Sequence, residues 1–526
     1  MKWFDGFFKN RRETALQLLL LIGIMATVNI LADTLIIRFD LTEDNRYTLS
    51  EASKHIAESL NDPITVTAYF SADLPPQLSR VEDEFSNFLE EFRAHAGGNL
   101  EYEFVNPNEG EEAEQRAQQA GIRPVMIDVR ERDRMTQKRA YFGAVFRYQD
   151  KREVVPVVQP GAGLEYTIAG TIKQLTTEVK PRIGLLQGHG EPTQEEMIQL
   201  INELHPRYEI IEVSGLDTTS VPADIEVLLV IAPEQPVSEA EQQAIDQYIM
   251  AGGKAVFALN RIRTQIQQGW ATPLDTGVER LPAAYGLPIR PDLVRDAQAS
   301  TIQVQQQQGI FTFVNQVEYP FIPLVSTFGD HPVSEGLEAA VFQFVSSLDT
   351  TRTDSTQKLT VLASSSAQAG ISSGSFNLDP SQNWNQRDFA HAHIPMAAVL
   401  EGTFTSAFAE HDSIDVPLKH SQETAIVVFG DGDFVINGAG QHAQPLPEDN
   451  ISLMANSIDW LADDTGLISL RTKGVTSRPL TILEDGTKVF LKYLNVFLPV
   501  MLVLAYGFYR YQRNQTRRRK WMEEGV

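Results

Sequence analysis

Two long apolar runs stand near the ends of the chain, at about 14–37 and 489–509. Each comes close to the roughly 20 residues that a helix needs to cross a hydrocarbon core. The first run is longer than the apolar part of a cleaved signal peptide, and no A-x-A cleavage site follows it. The pattern therefore predicts two transmembrane helices, one on each side of a long polar region.

Polar side chains interrupt both predicted spans. Asn29 and Asp33 lie one helical turn apart in the first, and Asn495 lies in the second. Polar groups in membrane helices often form hydrogen bonds across a helix–helix contact, which would place a polytopic partner here. The alternative is placement at the membrane interface, which is the better interpretation for Lys492.

The charge of the chain is unevenly distributed. It has 44 Lys plus Arg against 69 Asp plus Glu, a net charge of −25. The tails 1–13 and 510–526 carry +2 and +4, which leaves −31 for the residues between them. Because basic residues mark the cytoplasmic side of a membrane helix, both termini are expected in the cytoplasm. The acidic region of about 38–488 is then expected in the periplasm of a bacterium, anchored to its inner membrane, and nucleic acid is not expected as a partner.

Residues 38–178 alternate between strand and helix patterns. An alternation of β-branched and aromatic residues at 64–70 predicts a strand, and an apolar stripe from Val81 to Phe92 predicts a helix. Further strands are predicted at 100–104, 125–129, 140–147 and 153–158, with helices at 111–120 and 164–176. The order β-α-β-α-β-β-α is that of a thioredoxin-like module, in which Pro124 stands where that fold commonly places a cis proline.

Residues 179–470 predict a second α/β module. Short apolar runs bounded by helical segments are typical of strands in a largely parallel sheet, and they stand at 182–186, 225–231, 254–259 and 425–429. Residues 261–420 are expected to form a β-rich or loop-rich insertion, and 471–488 a linker to the second span.

Two glycine-rich turns are candidate ligand-binding elements. Gly188, His189, Gly190 and Glu191 follow the strand at 182–186, where open α/β sheets usually bind ligands. The glycine pattern is incomplete for a dinucleotide site, so a tight structural turn is the alternative. Asp431 and Asp433 follow the strand at 425–429 and offer carboxylates to a cation, but no EF-hand glutamate follows at the twelfth position. Hydrogen bonds that these aspartates accept from nearby backbone N–H groups are the better interpretation.

Enzymatic signals are weak. Residues 370–374 match G-x-S-x-G around Ser372, but serine-rich flanks predict a loop instead of the required strand and helix. His391 and His393 lack a third ligand for zinc. The absence of cysteine excludes thiol nucleophiles and cysteine-ligated metals. We therefore expect no catalysis, no resident metal and no cofactor.

Short motifs in order along the chain resemble the GldG-like auxiliary subunits of gliding-motility-type ABC transporters. These motifs are Phe39–Thr42, Tyr47–Ser50, Gly188–Pro192, Gly252–Lys254, His331–Pro332, Gly430–Phe434, Leu467–Arg471 and Arg478–Leu480. The resemblance implies an extracytoplasmic subunit that works with a separate permease and ATPase. It also implies that the second module is similar to class I glutamine amidotransferase domains, which are flavodoxin-like. Those enzymes use a Cys nucleophile that this chain lacks, so the resemblance extends to the fold and not to the activity.

The leading hypothesis is thus a non-catalytic accessory subunit whose spans contact the permease and whose exported modules bind a substrate, an envelope polymer or another protein. A link to gliding motility is implied only by the resemblance, since nothing in the residues encodes movement. The alternative is an independent periplasmic envelope protein that binds a glycan or another ligand. A third reading, a hydrolase using Ser372 or a metal at His391 and His393, has the least support.

Overall fold

The computed structural model describes residues 48–72, 74, 76–131, 134–158, 163–177, 179–308, 311–351, 356–374, 376–410, 416–440, 443–463, 465–468 and 485–523, together with Leu20 and Gly23 in helix. The chain divides into two compact units, residues 1–474 and 475–526.

The first part of the larger unit is built around a four-stranded mixed sheet. Its elements are α1 (Glu51–Glu58), β1 (Ile64–Phe70), α2 (Pro76–His95), β2 (Leu100–Val105), α3 (Glu111–Gln119), β3 (Val125–Glu131), β4 (Arg134–Ala140), β5 (Phe142–Tyr148), β6 (Lys151–Val155) and α4 (Leu164–Thr176). The strand order is β2-β1-β5-β6, with β1 parallel to β2 and antiparallel to β5. Within the described ranges, strands β3 and β4 pair with each other alone, as a separate hairpin. No described peptide bond is cis, so the bond before Pro124 is trans and that expectation is wrong.

Helix α2 covers one face of this sheet with the predicted apolar stripe. Val81, Phe85, Leu89 and Phe92 are all buried in one core with β1 and β5. The Phe85 ring lies 5.3 Å from the ring of Phe70 on β1, centroid to centroid. The spacing of these residues places them on one side of a helix, which explains both the helix and its packing.

The second part is built around an eight-stranded sheet. The sheet strands are β7 (Arg182–Leu186), β8 (Glu209–Val213), β9 (Ile225–Ile231), β10 (Lys254–Ala258), β16 (Thr327–Phe328), β18 (Gln357–Ser364), β21 (Pro395–Gly402) and β22 (Thr424–Phe429). Smaller sheets are formed by β11 (Ile262–Gln265), β12 (Trp270–Pro273), β13 (Asp292–Asp296), β14 (Ala299–Gln308), β15 (Phe311–Val325), β17 (Ala340–Val341), β19 (Ala369–Ser373) and β20 (Phe376–Asn377). The helices are α5 (Ile198–Leu204), α6 (Glu239–Met250), α7 (Arg280–Tyr285) and α8 (Glu448–Ala462).

The large sheet is parallel on one side and antiparallel on the other. Its order is β16-β18-β21-β22-β10-β9-β7-β8, and the five strands from β22 to β8 run parallel. The next pairs, β22 with β21, β21 with β18 and β18 with β16, are antiparallel. The stretch 261–420 therefore supplies three strands of the main sheet as well as the smaller sheets.

The smaller unit contains one long helix, α9 (Asp485–Glu523), which includes the second predicted span and Asn495. Over the residues that the structure covers, none of the helices combines enough length and apolar character to cross a membrane. The first predicted span, with Asn29 and Asp33, lies outside the described residues except for Leu20 and Gly23.

Candidate functional site

The carboxyl ends of the parallel strands meet at one edge of the large sheet. The turn at 188–191 follows β7, the loop 232–238 follows β9, Asn260 follows β10, and 430–433 follow β22. In open α/β sheets this edge is the usual place for a ligand. Both glycine-rich turns that the sequence nominates, one with His189 and one with Asp431, therefore lie along it.

His189 is buried between two carboxylates. Its Nδ1 lies 3.0 Å from Glu191 Oε1, and its Nε2 lies 3.0 Å from Glu241 Oε2. The backbone N–H of His189 also donates to Glu191 Oε2 at 2.6 Å. Because Glu241 belongs to α6, the imidazole joins the turn after β7 to the first turn of that helix.

Glu241 also takes part in the capping of α6. Its carboxylate accepts from the backbone N–H of Ser238 at 3.0 Å, and the Ser238 hydroxyl accepts from the Glu241 N–H at 3.3 Å. This reciprocal pair is a capping box. Burial alone would raise the pKa of Glu241, but the bonds from Ser238 and His189 outweigh burial and lower it.

Asp431 and Asp433 form a second carboxyl pair on the same edge. Asp431 is fully buried and accepts from the backbone N–H groups of Gln343, at 2.6 Å, and of Asp433, at 2.7 Å. Burial and the neighbouring Asp433 raise the pKa of Asp431 well above its ordinary value. Burial likewise raises the pKa of Asp433, while a 2.8 Å hydrogen bond from Asn260 opposes the rise.

Gly432 stands between these aspartates at a point of close approach. A Cβ there would lie 2.6 Å from the carbonyl oxygen of Ala258 and 2.7 Å from the Cβ of Ala232. Ala232 itself has a positive φ of 43°, which is uncommon for a residue with a side chain. The turn after β22 therefore lies directly against the ends of β9 and β10.

The loop after β9 connects the two turns. The backbone N–H groups of Glu234 and Gln235 donate to the carbonyl of His189 at 2.9 and 2.8 Å. The charge of Glu234 also contributes to the raised pKa of Asp433. Glu234, Glu241 and Asn260 were not nominated from the sequence. Glu234 and Asn260 each lie within three residues of the end of an apolar strand. The rule that the carboxyl ends of parallel strands meet at one edge was therefore the available signal for them.

A cavity of about 430 Å³ opens beside this edge. It lies between the loop that follows β9, the first part of α6 and the segment that leads into α7, and it is lined by Pro236, Val237, Gln242, Asp275, Thr276, Gly277, Glu279 and Arg280. Among the described residues, no group of three or more His, Asp or Glu side chains is arranged to hold a metal ion.

The weaker enzymatic candidates lie elsewhere. Ser372 is in β19, paired with β13, so the expectation of a loop is wrong at this position. Its hydroxyl accepts from Arg295, which cannot serve as a general base because a guanidinium stays protonated. His391 and His393 are exposed, and the backbone of His391 pairs with Ala369.

Comparisons with known proteins give family-level matches. Residues 180–463, more than half of the chain, match the model of a family described as an ABC-type uncharacterized transport system. Residues 43–147 match a domain of unknown function (DUF7088). An uncharacterized protein of Borreliella burgdorferi is 23% identical over 534 residues, which cover 96% of this chain and 99% of that protein.

Among solved structures, the mmIFT52 N-terminal domain aligns with 53% of this chain and 96% of its own length. The identity is 12% and the TM-score is 0.32, which is too low to indicate a shared fold.

Proposed function

Because the chain belongs to the family described as an ABC-type uncharacterized transport system, we propose that it is a non-catalytic accessory subunit of an ABC transporter complex. The observation that carries the proposal is the match over residues 180–463, which contain the whole eight-stranded sheet and its carboxyl edge. The nucleotide-binding motif G-x-x-x-x-G-K-[ST] does not occur in the sequence, so ATP hydrolysis is assigned to a separate subunit.

The exported region of about 38–488 is proposed to contain two binding modules of enzyme-like fold. The strand order β2-β1-β5-β6 supports a thioredoxin-like module at 38–178. The five parallel strands of the large sheet support an amidotransferase-like module at 179–470. Since the chain has no cysteine, neither module has the thiol on which the chemistry of those folds depends.

Two membrane anchors are proposed to hold this region at the periplasmic face of a bacterial inner membrane. The support comes from the apolar runs at 14–37 and 489–509 and from the basic tails outside them. On α9 the side chains of Phe497, Met501 and Phe508 are more than half exposed, as lipid-facing residues would be. Asn29, Asp33 and Asn495 are proposed to face the permease, where polar groups form hydrogen bonds between helices.

The narrower assignment is a GldG-like subunit of a gliding-motility-type transporter. Its support is the ordered series of sequence motifs, and loss of gliding on deletion of the gene in a gliding host is its test. An unchanged gliding phenotype would remove this assignment and leave the accessory role in place.

Purification of the tagged full-length chain from its native membranes in mild detergent tests the accessory role. We expect a permease and an ATPase to be recovered with it and identified by mass spectrometry. Replacing Asn29 and Asp33 by Leu should reduce that recovery, whereas Arg123→Gln, an exposed change outside the spans, should not. Recovery of the chain without either component would overturn the proposal.

The second candidate is an independent envelope protein that binds a glycan or another ligand. The carboxyl edge and its neighbouring cavity favour this candidate, because such cavities are the usual small-molecule sites of α/β proteins. Tight ligand binding in membranes that contain no associated permease or ATPase would favour it over the accessory role.

A further inference from the structure

The cavity beside the carboxyl edge has the size of a small-molecule site. Its volume of about 430 Å³ lies within the usual range for such sites. We infer that it binds a monosaccharide-sized molecule that carries one oxyanion, a carboxylate or a phosphate, and that Arg280 holds the oxyanion.

One buried guanidinium contacts both carboxylates in the wall of the cavity from behind. The buried guanidinium of Arg261 lies 2.9 Å from Asp275 Oδ1 and 2.7 Å from Glu279 Oε1. The second oxygen of Glu279 accepts from the Thr276 hydroxyl at 3.0 Å. Both oxygens of Glu279 are therefore engaged within the protein, which disfavours Glu279 as a ligand for a cation.

Arg261 also has spare donor capacity. Arg261 is only 8% exposed, and its Nε has no hydrogen-bond partner among the described residues. An unpaired buried donor is costly, and more so when the group is charged. Arg261 does not line the cavity, so its guanidinium lies behind the wall and the contact with a ligand is left to Arg280.

Arg280 is the lining residue whose positive charge is available to a ligand. Its side chain is exposed, and no ion pair to it is present within the described ranges. A guanidinium binds carboxylate and phosphate groups through two parallel hydrogen bonds. In a chain with a net charge of −25, an arginine without an ion pair on the wall of a cavity favours an anionic ligand.

The remaining wall fits a sugar ring. Pro236 is exposed and provides an apolar surface for the C–H face of a pyranose. The Gln242 amide donates to the Val237 carbonyl at 2.8 Å and so fixes the position of that surface. Gly277 has a φ of 89°, and a Cβ there would collide with the Gln242 amide, so only glycine allows the loop to lie this close.

Isothermal titration calorimetry of the full-length chain in detergent tests this inference with three probes: glucuronate, glucose 6-phosphate and glucose. We expect at least one of the two anions to bind about tenfold or more tightly than glucose. The preferred anion identifies the oxyanion as carboxylate or phosphate.

Variants of Arg280 and Asp275, the two exposed charged residues of the wall, test whether positive charge there strengthens anion binding and negative charge weakens it. Arg280→Gln should weaken anion binding about tenfold, because it removes the bidentate donor. Asp275→Asn should strengthen it a few-fold, because it removes a negative charge beside Arg280 while keeping the oxygen that accepts from Arg261. Arg123→Gln, an exposed arginine in the first module, is the matched control and should leave binding unchanged.

Several outcomes would overturn the inference. Glucose binding as tightly as either anion would do so, as would the failure of all three probes to bind at millimolar concentration. Unchanged binding in Arg280→Gln, or stronger binding in Arg280→Glu, would exclude the assigned role of Arg280. The inference goes beyond the accessory role and uses the isolated chain, so recovery of a permease and an ATPase would not be affected by its failure.

Discussion

Removal of the Asp246 carboxylate should strongly destabilise the part of the chain that is built around the eight-stranded sheet. Asp246 lies on α6, is fully buried, and accepts from three donors on two other segments. The Tyr285 hydroxyl of α7 donates at 2.9 Å, the Ser406 hydroxyl at 2.7 Å and the Ala407 N–H at 2.9 Å. One side chain therefore ties α6 to α7 and to the loop that follows β21.

The size of the loss follows from the donors that Asp246→Ala leaves behind. Each buried donor without a partner costs about 1–2 kcal/mol, so three of them cost about 3–6 kcal/mol. A loss of this size lowers the melting temperature of a domain of 150–250 residues by roughly 10 °C. Asp246→Asn keeps one acceptor oxygen and should lose roughly half as much.

Thermal unfolding of the full-length chain in detergent, followed by circular dichroism, measures these shifts. Asp224→Ala is the control, because Asp224 forms an exposed ion pair with Arg182 that should contribute less than about 1 kcal/mol. A melting temperature for Asp246→Ala within 2 °C or so of the Asp224→Ala value would refute the reasoning, because unpaired buried donors could not then be costly here.

Three further changes test other parts of the molecule. Phe85→Ala should destabilise the packing around the four-stranded sheet by about 3–5 kcal/mol, measured as a loss of hydrogen-exchange protection in β1 with β9 unaffected. Gly432→Ala should cost about 1–3 kcal/mol in urea unfolding, because the new methyl group must displace the ends of β9 and β10; an unchanged midpoint would contradict the close approach. For Asp431, a pKa raised by burial means that the native state keeps a proton that the unfolded chain releases, so its contribution to stability is present below pH 3.8 and is lost as the pH rises. Asp431→Asn should therefore flatten the fall in melting temperature as the pH rises above 3.8, and a profile as steep as that of the unchanged chain would exclude this role.

Local sequence patterns predict those helices and strands that can be recognised without knowing which other elements they pack against. The spacing of apolar residues in α2 predicts a helix, and the short apolar runs of β7, β9 and β10 predict strands. The structure contains all four of these elements. Strand β4 is not predicted because its sequence, RMTQKRA, is polar and, in the part of the chain that the structure describes, it pairs with its hairpin partner alone. Strand β19 was missed because serine-rich segments surround it, and its pairing with β13 is not visible locally.

In the candidate site, too, the sequence predicts the local turns but not the contacts between distant segments. The turns at His189 and Asp431 could be nominated because glycine-rich segments after apolar strands are recognisable in sequence. The contact of His189 with Glu241 could not, because Glu241 belongs to a helix about 50 residues further along the chain. Likewise, the placement of β21 beside β22 depends on a long connection whose path no local pattern specifies.

The pairing of β10 with β22 has a consequence for biogenesis. Val256 lies opposite Val427, about 170 residues later, and the two strands are parallel neighbours in the middle of the large sheet. If the chain emerges during synthesis at about 5–20 residues per second, one edge of β10 stays unpaired for roughly 10–30 s. An unpaired apolar strand is a template for aggregation, so the nascent chain should depend on a holding chaperone until residue 429 has emerged. Truncation before β22 should then produce an insoluble product, even though all of the first module would be complete.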